Sequence, residues 1–357
     1  MESKSLTFNG LINRGNTCYL NTSIQCLSSI HELTAYFINN DYEKDINHRL
    51  NLEKNKKEIN KKNITYIILS KEFAKLIKAL SSSENSIEPK TFHQCIQKFE
   101  PTFEGFQQQD AQESLGYILD SLHEGLHYEV DIHPDGSIEN EVDKLMVESI
   151  TKWSKEVSAK YSIIVELFFG QFHIKTISED TDFKLNEVIS TKYEIFNLLN
   201  VPIHGHTLND CLNNFFGKEK LDSDFYEETS KKKVSASREF RIVKVPKYLI
   251  IVLKRFKNNH SFFTKINSIV TMPIVNLDIS DYCIGYEKFN CRLNLKAVGL
   301  HTGSLNGGHY FAYCKNTNNK WYECNDSTVR EINIFDEKDN LFRNGYILIY
   351  EKIELDE

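Results

Sequence analysis

Cys18 is the first residue in the chain whose surroundings could prepare it for chemistry. It follows a stretch rich in glycine and asparagine, residues 10–16, of the kind that forms turns. From Cys18 to about Ile30, apolar residues recur at helical spacing, which predicts a helix that Asn16 or Thr17 would cap. A cysteine in the first turn meets the helix dipole and free backbone N–H groups, which stabilise a thiolate. The stretch alone is equally compatible with a buried, unreactive thiol.

A nucleophilic cysteine needs a base, and the base needs a group that orients it. His309 stands where a glycine-rich loop, residues 303–308, turns into an apolar strand. A later short strand ends in Asn325 and Asp326. If the two strands are neighbours, either side chain could accept the Nδ1–H of His309 and fix its tautomer. The combination of these residues, and none of them singly, indicates a cysteine–histidine site.

The elements that must position these residues fall into a helical half and a strand-rich half. Helices are predicted over residues 64–80, over a segment through Phe99 that Thr91 would cap, after the polar cluster 107–113, and over 141–160. Strands are predicted over residues 165–177, 193–203, 238–245, 248–256, 292–301, 310–315 and 346–352. This order favours an α+β arrangement. The chain shows no internal repeat and no Pro- or Gly-rich linker, which favours one integrated domain.

Composition excludes several classes of function. The chain has 357 residues, is 40% hydrophobic and carries a net charge of −7, which gives no support for nucleic-acid binding. Residues 1–9 lack the apolar run of a signal peptide, and no apolar stretch approaches membrane-spanning length, so we expect an intracellular protein, cytoplasmic or nuclear. None of the eight cysteines forms a C-x-x-C pair, which argues against a cysteine-rich zinc site and predicts free thiols.

Several blocks of sequence, taken in order, match one family. They are Gly-Leu-x-Asn-x-Gly-Asn-Thr-Cys-Tyr-x-Asn with its following Gln over residues 10–25, Gln-Asp-Ala-Gln-Glu at 109–113, residues 246–256 around Leu-Lys-Arg-Phe, and the histidine box at 308–313 with its continuation at 325–327. In these blocks the chain resembles the ubiquitin-specific proteases, the papain-like family of cysteine deubiquitinases. The resemblance spans about residues 8–352, nearly the whole chain.

The resemblance implies an α+β, papain-like cysteine protease fold with a helical thumb, a β-rich palm and extended β fingers. It implies a single catalytic domain over residues 8–353, between an N-terminal tail at 1–7 and a short tail at 354–357. Its expected parts are a thumb at about 8–130, fingers at about 165–245, a palm at about 246–353, and a polar insertion at about 39–63. We expect that insertion to be an exposed excursion, either a solvated helix or partly disordered.

The resemblance also implies roles at the site. Cys18 would be the nucleophile and His309 the general base in the hydrolysis of the bond after the C-terminal glycine of ubiquitin. Asn325 falls on the position of the third catalytic member. Asn13 would donate its amide to the oxyanion, and Asp326 would share the work of orienting the base or supporting the oxyanion.

The substrate implied is ubiquitin, and the partners implied are ubiquitin and ubiquitinated proteins. Gln109, Asp110 and Glu113 fall in the element that helps hold the extended ubiquitin tail, whose arginines suit acidic and amide groups. Residues 302–308 match a loop that roofs the tail, and residues 257–268 lie where a second such loop falls. The remaining residues assigned to substrate binding are Gly307, Gly308 and Tyr310. We expect a monomer without a cofactor, with room for an accessory protein, and no nucleic acid or membrane partner.

One departure from the family concerns structural zinc in the fingers. Many members carry two C-x-x-C pairs there. In this chain the corresponding positions are Ser178, Thr181, Glu228 and Lys231. We therefore expect no finger zinc and fingers that are held by packing alone.

Competing interpretations come from other classes of protein. His123, Glu124 and His127 satisfy the zinc-protease pattern H-E-x-x-H, with His133 where a third ligand would fall, although Val130 occupies a glycine position of the extended motif. A five-residue motif arises by chance, and the same segment is accounted for as the end of a helix, so we favour the cysteine site.

Two further alternatives stay open at this stage. His204 and His206 with Cys211 could bind a metal, although polar residues at a turn between a strand and a helix explain them more simply. A ubiquitin-binding module without activity is the remaining alternative. The presence of the whole expected catalytic set favours an enzyme.

Overall fold

A computed structural model describes residues 8–55, 60–83, 85–105, 107–179, 187–221, 225–227, 232–259, 262–289, 291–304 and 307–353. The helices are α1 (Cys18–Ser28), α2 (His31–Ile38), α3 (Asp41–Lys54), α4 (Lys61–Ser82), α5 (Lys90–Phe99), α6 (Ala111–Leu126), α7 (Glu141–Val157), α8 (Ile163–Phe168), α9 (Leu208–Phe215) and α10 (Lys338–Asn344). Short 3₁₀ turns occupy Pro101–Phe103, Ser280–Tyr282 and Gly285–Lys288. Most of the helical residues precede position 170, as the apolar periodicity predicts.

The strands follow mainly in the second half of the chain. They are β1 (Gly170–Ser178), β2 (Val188–Phe196), β3 (Leu199–Pro202), β4 (Glu219–Lys220), β5 (Phe225–Glu227), β6 (Lys232–Val234), β7 (Ala236–Lys244), β8 (Tyr248–Lys254), β9 (Phe256–Asn259), β10 (Phe262–Lys265), β11 (Leu277–Asp278), β12 (Arg292–Thr302), β13 (His309–Lys315), β14 (Trp321–Asn325), β15 (Thr328–Ile332) and β16 (Gly345–Lys352).

The largest sheet has the order β15-β14-β13-β12-β16-β8-β3, with β11 beside β12. Its pairs are antiparallel except β3 with β8. A second sheet has the order β2-β1-β7-β4, and β9–β10 and β5–β6 form hairpin pairs. The helical half followed by these sheets confirms the predicted α+β class.

Two hydrophobic cores lie on opposite faces of the large sheet. One core joins α1, α4 and α6 to side chains of one sheet face, including Ala312 and Ile347. The other joins α9 to side chains of the opposite face, including Tyr313 and Leu348. Every residue of α1 is buried, so this helix lies between the helical layer and the sheet. Cys18, the first residue of α1, is therefore held by core packing on both sides.

Two local predictions are wrong. Residues 165–168 belong to α8 and not to a strand, although Ile163, Ile164 and Val165 are β-branched. The side chain of Ser162 caps this helix by accepting from the Val165 N–H, and burial of the apolar residues outweighs their strand propensity. At α5 the residue before the helix is Pro89, so Thr91 lies inside the helix and does not cap it.

The polar insertion at 39–63 contains α3 and is not solvated on all sides. Tyr42, Ile46, Arg49 and Glu53 of this helix are buried. The Glu53 carboxylate accepts hydrogen bonds from the Asn60 backbone N–H and, over 2.7 Å, from the side chain of Asn63 in α4. These contacts attach the insertion to the helical layer.

The expected division into thumb, palm and fingers stays a prediction. Of the expected zinc positions in the fingers, Ser178 ends β1 and is buried, whereas Thr181, Glu228 and Lys231 lie outside the described residues. No helix in the described part of the chain has the length and apolar character needed to span a membrane.

Arg255, between β8 and β9, is fully buried, and within the described ranges its side chain donates only to backbone carbonyls. Its Nε donates to the Gly345 carbonyl over 2.7 Å, and its Nη2 donates to the Phe342 carbonyl over 3.1 Å. Its Nη1 donates to the carbonyls of Ile266 and Ser268. The guanidinium thereby joins β8, the end of α10 and the segment after β10. Burial lowers the pKa of Arg255 to about 10, a value still high enough for the side chain to be charged at neutral pH.

Replacing Arg255 by Met is expected to lower the free energy of unfolding by about 3 kcal/mol or more, because four hydrogen bonds of a buried guanidinium are lost at once. Urea denaturation followed by circular dichroism measures the change. The matched control is Arg292→Met, which removes an exposed arginine 3.9 Å from Asp278 and is expected to change stability by only about 0.5 kcal/mol. Equal effects of the two variants would contradict the role given to Arg255.

Candidate active site

Cys18 is the first residue of α1 and is buried, with 2% of its surface exposed. The preceding loop reverses direction at Gly15 and Asn16, whose φ angles of 96° and 55° lie in the left-handed region that glycine and asparagine tolerate. Thr17 occupies the N-cap position, but its side chain does not cap the helix. The Thr17 side chain therefore leaves the backbone N–H groups of the first helical turn, next to Cys18, for other acceptors.

Asn13 is held firmly by both ends of its amide. Its Oδ1 accepts from the backbone N–H groups of Gly15 and Thr17 over 3.0 and 3.1 Å, and from the Thr17 hydroxyl over 3.2 Å. Its Nδ2 donates to Oδ2 of Asp326 over 2.9 Å. An amide nitrogen has two N–H groups, so one remains for another acceptor.

His309 is placed by the pairing of β13 with β14, as the sequence predicts. Its Nε2 lies 2.7 Å from Oδ1 of Asn325, and its ring is hydrogen-bonded to the side chain of Cys18. The predicted contact through Nδ1 is wrong, because Nε2 is the nitrogen that faces Asn325. This arrangement leaves Nδ1 for Cys18. Cys18 is therefore adjacent to His309 and Asn325, which lie about 300 residues further along the chain.

The protonation of His309 follows from these neighbours. The hydrogen bond with Cys18, together with Asn325 and the charges of Cys18 and Asp326, outweighs partial burial and raises the pKa of His309 to about 9. The ring is therefore protonated at neutral pH, where an unperturbed histidine is largely neutral.

Asp326 connects the cysteine loop to the histidine strand. Its Oδ1 accepts from Nδ2 of Asn21 over 2.8 Å, its Oδ2 accepts from Asn13, and Oδ2 lies 3.9 Å from Nε2 of His309. Its backbone carbonyl accepts from the Leu11 N–H over 2.7 Å, and its φ of 49° is left-handed. The carboxylate is thus bound by amides on both sides of Cys18.

Asn21 is the member of this group that the sequence analysis missed. It lies one helical turn after Cys18, and only 2% of its surface is exposed. Its Nδ2 also lies 3.2 Å from the Leu11 carbonyl, while its Oδ1 has no hydrogen-bond partner among the described residues. An asparagine in the interior of an apolar helix, on the face of the cysteine, was the available signal.

Gln108 is a second missed residue, next to the predicted Gln109. Its Nε2 donates to the Gly308 carbonyl over 2.6 Å, and its Oε1 accepts from the Gly308 N–H over 3.2 Å. Gly308 also packs directly on Nε2 of buried His301, so a Cβ at position 308 would overlap that ring. These contacts set the stretch before His309 against the start of α6.

The other residues predicted to bind substrate differ in their exposure. Asp110 caps α6 by accepting from the Gln112 N–H over 2.7 Å, and the Tyr346 hydroxyl lies 2.8 Å from each of its carboxylate oxygens. Burial raises the pKa of Asp110. Tyr310 is buried, with its ring 4.5 Å from that of His301. These side chains serve internal contacts, whereas Gln109 is half-buried and Gly307 and Glu113 are exposed.

The H-E-x-x-H segment makes internal contacts of its own. Nδ1 of His123 lies 2.9 Å from the Ser162 hydroxyl, and both carboxylate oxygens of Glu124 are bound by Lys160. Burial lowers the pKa of His123 to about 4 and that of His127 to about 3. Within the described ranges, no group of three or more His, Cys, Asp or Glu side chains is placed to hold a metal ion.

The second candidate metal group lies at a turn between β3 and α9. The Cys211 thiol donates to the His204 carbonyl over 3.2 Å and accepts from the His204 N–H over 3.4 Å. These are contacts with the backbone of His204 and not with its ring. Cys211 is fully buried, and burial raises the pKa of its thiol.

Comparison with known proteins gives a consistent result over nearly the whole chain. A family model described as ubiquitin carboxyl-terminal hydrolase matches residues 9–350. Ubiquitin carboxyl-terminal hydrolase 2 of Homo sapiens is 32% identical over 365 residues, which cover 98% of this chain and 56% of the human protein. Ubiquitin carboxyl-terminal hydrolase 4 of Vanderwaltozyma polyspora is 32% identical over 385 residues, which cover 96% of this chain and 41% of that protein. The chain spans about half the length of these curated relatives.

Solved structures show the same fold at lower identity. The SAGA DUB module Ubp8/Sgf11/Sus1/Sgf73 bound to ubiquitin aldehyde contains a chain that is 21% identical, with a TM-score of 0.72 over 98% of this chain and 70% of that one. The Ubp8-Sgf11-Sgf73-Sus1 module, at 22% identity, gives a TM-score of 0.70 over 98% and 68%. This likeness confirms the predicted α+β, papain-like fold.

Removal of the Cys18 thiol is expected to lower the pKa of His309 well below 9, because the hydrogen bond with Cys18 is the largest cause of the shift. The pKa of His309 is higher in the folded protein than the value of 6.5 expected for the unfolded chain. Protonated His309 therefore stabilises the fold fully below about pH 6.5, and this stabilisation is lost as the pH rises through about 9. NMR titration of the imidazole in the parent and in Cys18→Ala measures both pKa values. An unchanged pKa in Cys18→Ala would refute this account.

Proposed function

Because the chain belongs to the ubiquitin carboxyl-terminal hydrolase family, we propose that it is a cysteine protease that hydrolyses the bond after the C-terminal glycine of ubiquitin. The observation that carries the proposal is the contact of Cys18, His309 and Asn325 at the start of a buried helix. Conjugated ubiquitin is the proposed substrate, through an isopeptide, peptide or thioester bond.

In the proposed mechanism, the Cys18 thiolate attacks the carbonyl carbon of the terminal glycine. His309 carries the proton that it transfers to the departing lysine amine, and the raised pKa of His309 supports this role. A water molecule then attacks the thioester, with His309 as its base, and releases the carboxylate and the Cys18 thiol. Asn325 holds the ring through Nε2 and keeps Nδ1 directed to Cys18.

The negative charge that develops on the carbonyl oxygen needs donors that are already in place. We propose the free N–H of Asn13 and the backbone N–H of Cys18 as these donors. Because Asp326 binds the other N–H of Asn13, its proposed role is to orient that amide and to add negative charge near the protonated His309. Asn21 supports Asp326 from the opposite side.

The ubiquitin tail is proposed to lie between the start of α6 and the stretch before His309. Exposed Glu113 would face an arginine of the tail, and half-buried Gln109 would contact its backbone. Asp110, Gly308 and Tyr310 would shape the channel from within, because their contacts are internal. The thumb, palm and finger divisions and an intracellular location belong to the same proposal.

Ubiquitin and accessory proteins are proposed as partners. A structural neighbour bound to ubiquitin aldehyde within an assembly of several subunits supports both kinds of contact. A ubiquitin-binding module without activity is the alternative function, and the complete site argues against it. The variants below distinguish the two.

Cys18→Ala is expected to reduce cleavage of a fluorogenic C-terminal ubiquitin amide by more than about 10⁴-fold, because the nucleophile is lost. The matched control is Cys95→Ala, a half-buried thiol on α5, which should retain the rate of the parent. Equal rates in parent and Cys18→Ala would exclude the proposed nucleophile. A parent that binds ubiquitin but cleaves no amide would instead indicate the binding module.

Asn13→Ala is expected to lower kcat by about 10²- to 10³-fold with little change in KM, because the lost donor acts in the transition state. Steady-state kinetics with the same substrate separates the two constants. Asn318→Ala, on a turn outside the site, is the control. A rise in KM at constant kcat would show that Asn13 binds the ground state and would contradict its role as an oxyanion donor.

A further inference from the structure

A cleft of about 600 Å³ opens where α7 faces the end of β7 and the 3₁₀ turn Gly285–Lys288. Apolar side chains from several segments line it, including Ile132, Met146, Ile150, Trp153, Tyr161 and Val243. None of the residues proposed for catalysis or for the ubiquitin tail lies in this lining. A concave, mainly apolar space of this size is typical of a binding site.

Trp153 and Lys244 form the central feature of the cleft. Trp153 has only 6% of its surface exposed, and the Nζ of Lys244 lies 5.0 Å from the centroid of its ring. Among the described residues, the Lys244 side chain makes no hydrogen bond or ion pair. Loss of hydration beside the apolar lining lowers the pKa of Lys244, although the residue keeps an exposed surface through which a ligand can reach it.

The carboxylate in the cleft lining does not serve as that counter-ion. Both oxygens of Glu287 accept from Nζ of Lys352 over 2.7 Å. At Lys244 the attraction by Glu287 is opposed by the repulsion from Lys352. A positive charge beside an apolar cavity therefore remains available to an acidic ligand.

Large apolar side chains stand exposed on the segments that border the cleft. Phe289, just after the 3₁₀ turn, is 76% exposed, and Tyr286 within the turn is 53% exposed. Ile138, shortly before α7, is 59% exposed. Gly285 packs against Met146, so the turn and α7 form one continuous surface. An apolar surface that extends beyond the cavity fits a polypeptide better than a small molecule.

We propose that this cleft docks a segment of a partner protein in which a large apolar residue is followed within a few residues by Asp or Glu. The apolar side chain fills the cavity beside Trp153, and the carboxylate pairs with the Lys244 ammonium. This site is separate from the catalytic site, and the inference does not depend on the proposed hydrolase function.

The probes are fluorescein-labelled peptide pools that carry Phe or Leu followed, one to three positions later, by either Glu or its neutral isostere Gln, with Ser and Gly elsewhere. Fluorescence anisotropy with the full chain measures their affinity. The Glu pools are expected to bind about tenfold more tightly than the Gln pools. Lys244→Gln should abolish this preference, Lys244→Arg should retain it, and Lys320→Gln, which removes a distant lysine, should leave it unchanged.

A second readout locates the peptide. The chain has two tryptophans, so a Trp321→Phe variant reports on Trp153 alone, and its fluorescence is expected to change when a Glu pool binds. Excess ubiquitin should not displace the peptide. The proposal is overturned if no Glu pool binds, if Glu and Gln pools bind equally, if Lys244→Gln keeps the preference, or if ubiquitin competes.

Discussion

The geometry of the site depends on the hydrogen bonds of the Asp326 carboxylate. Asn13, in the loop before α1, and Asn21, within α1, bind its two oxygens, and the same residue lies next to Asn325 on β14. These groups come from opposite ends of the chain, 313 and 305 residues apart in the two hydrogen bonds. The Asp326 side chain thus joins the loop and helix around Cys18 to the strands that carry His309 and Asn325. A backbone hydrogen bond from Leu11 to the same residue fixes the distance between them.

Burial divides the site into a rigid part and a more exposed part. Cys18 and Asn21 belong to a helix that is buried along its whole length, whereas the side chain of His309 retains 39% of its exposure. The pKa of the partly exposed imidazole is raised by its neighbours Cys18, Asn325 and Asp326, whereas burial opposes the charge. Among the described residues before His309, Gly308 is held by the Gln108 amide and by packing on the His301 ring. This difference is consistent with the proposed hydrolysis, in which the reacting atoms are held still while the substrate tail is bound beside them.

Much of this arrangement could be predicted from the sequence because local signals coincide with the site. Helical periodicity placed Cys18 at the start of a helix, and adjacent strands placed Asn325 beside His309. The ring nitrogen that faces Asn325 could not be predicted, because it depends on the rotation of the His309 side chain. Asn21 was missed since its partner lies 305 residues away, and α8 was missed because burial and the Ser162 cap outweigh the strand propensity of its residues. The errors therefore arise where distant packing decides, and where local propensity and tertiary contacts disagree.

The complete burial of α1 has a consequence for how the protein opens in solution. Amides in a helix that is packed on both sides exchange with solvent mainly through global unfolding, whereas amides at exposed positions such as Gly307 exchange through smaller local openings. Cys18 then belongs to a slowly exchanging unit, and His309 borders a faster one. A local opening beside His309 can therefore disturb its contact with Cys18 while the Cys18 thiol stays buried. The thiol is then still shielded from oxidants after that contact is lost.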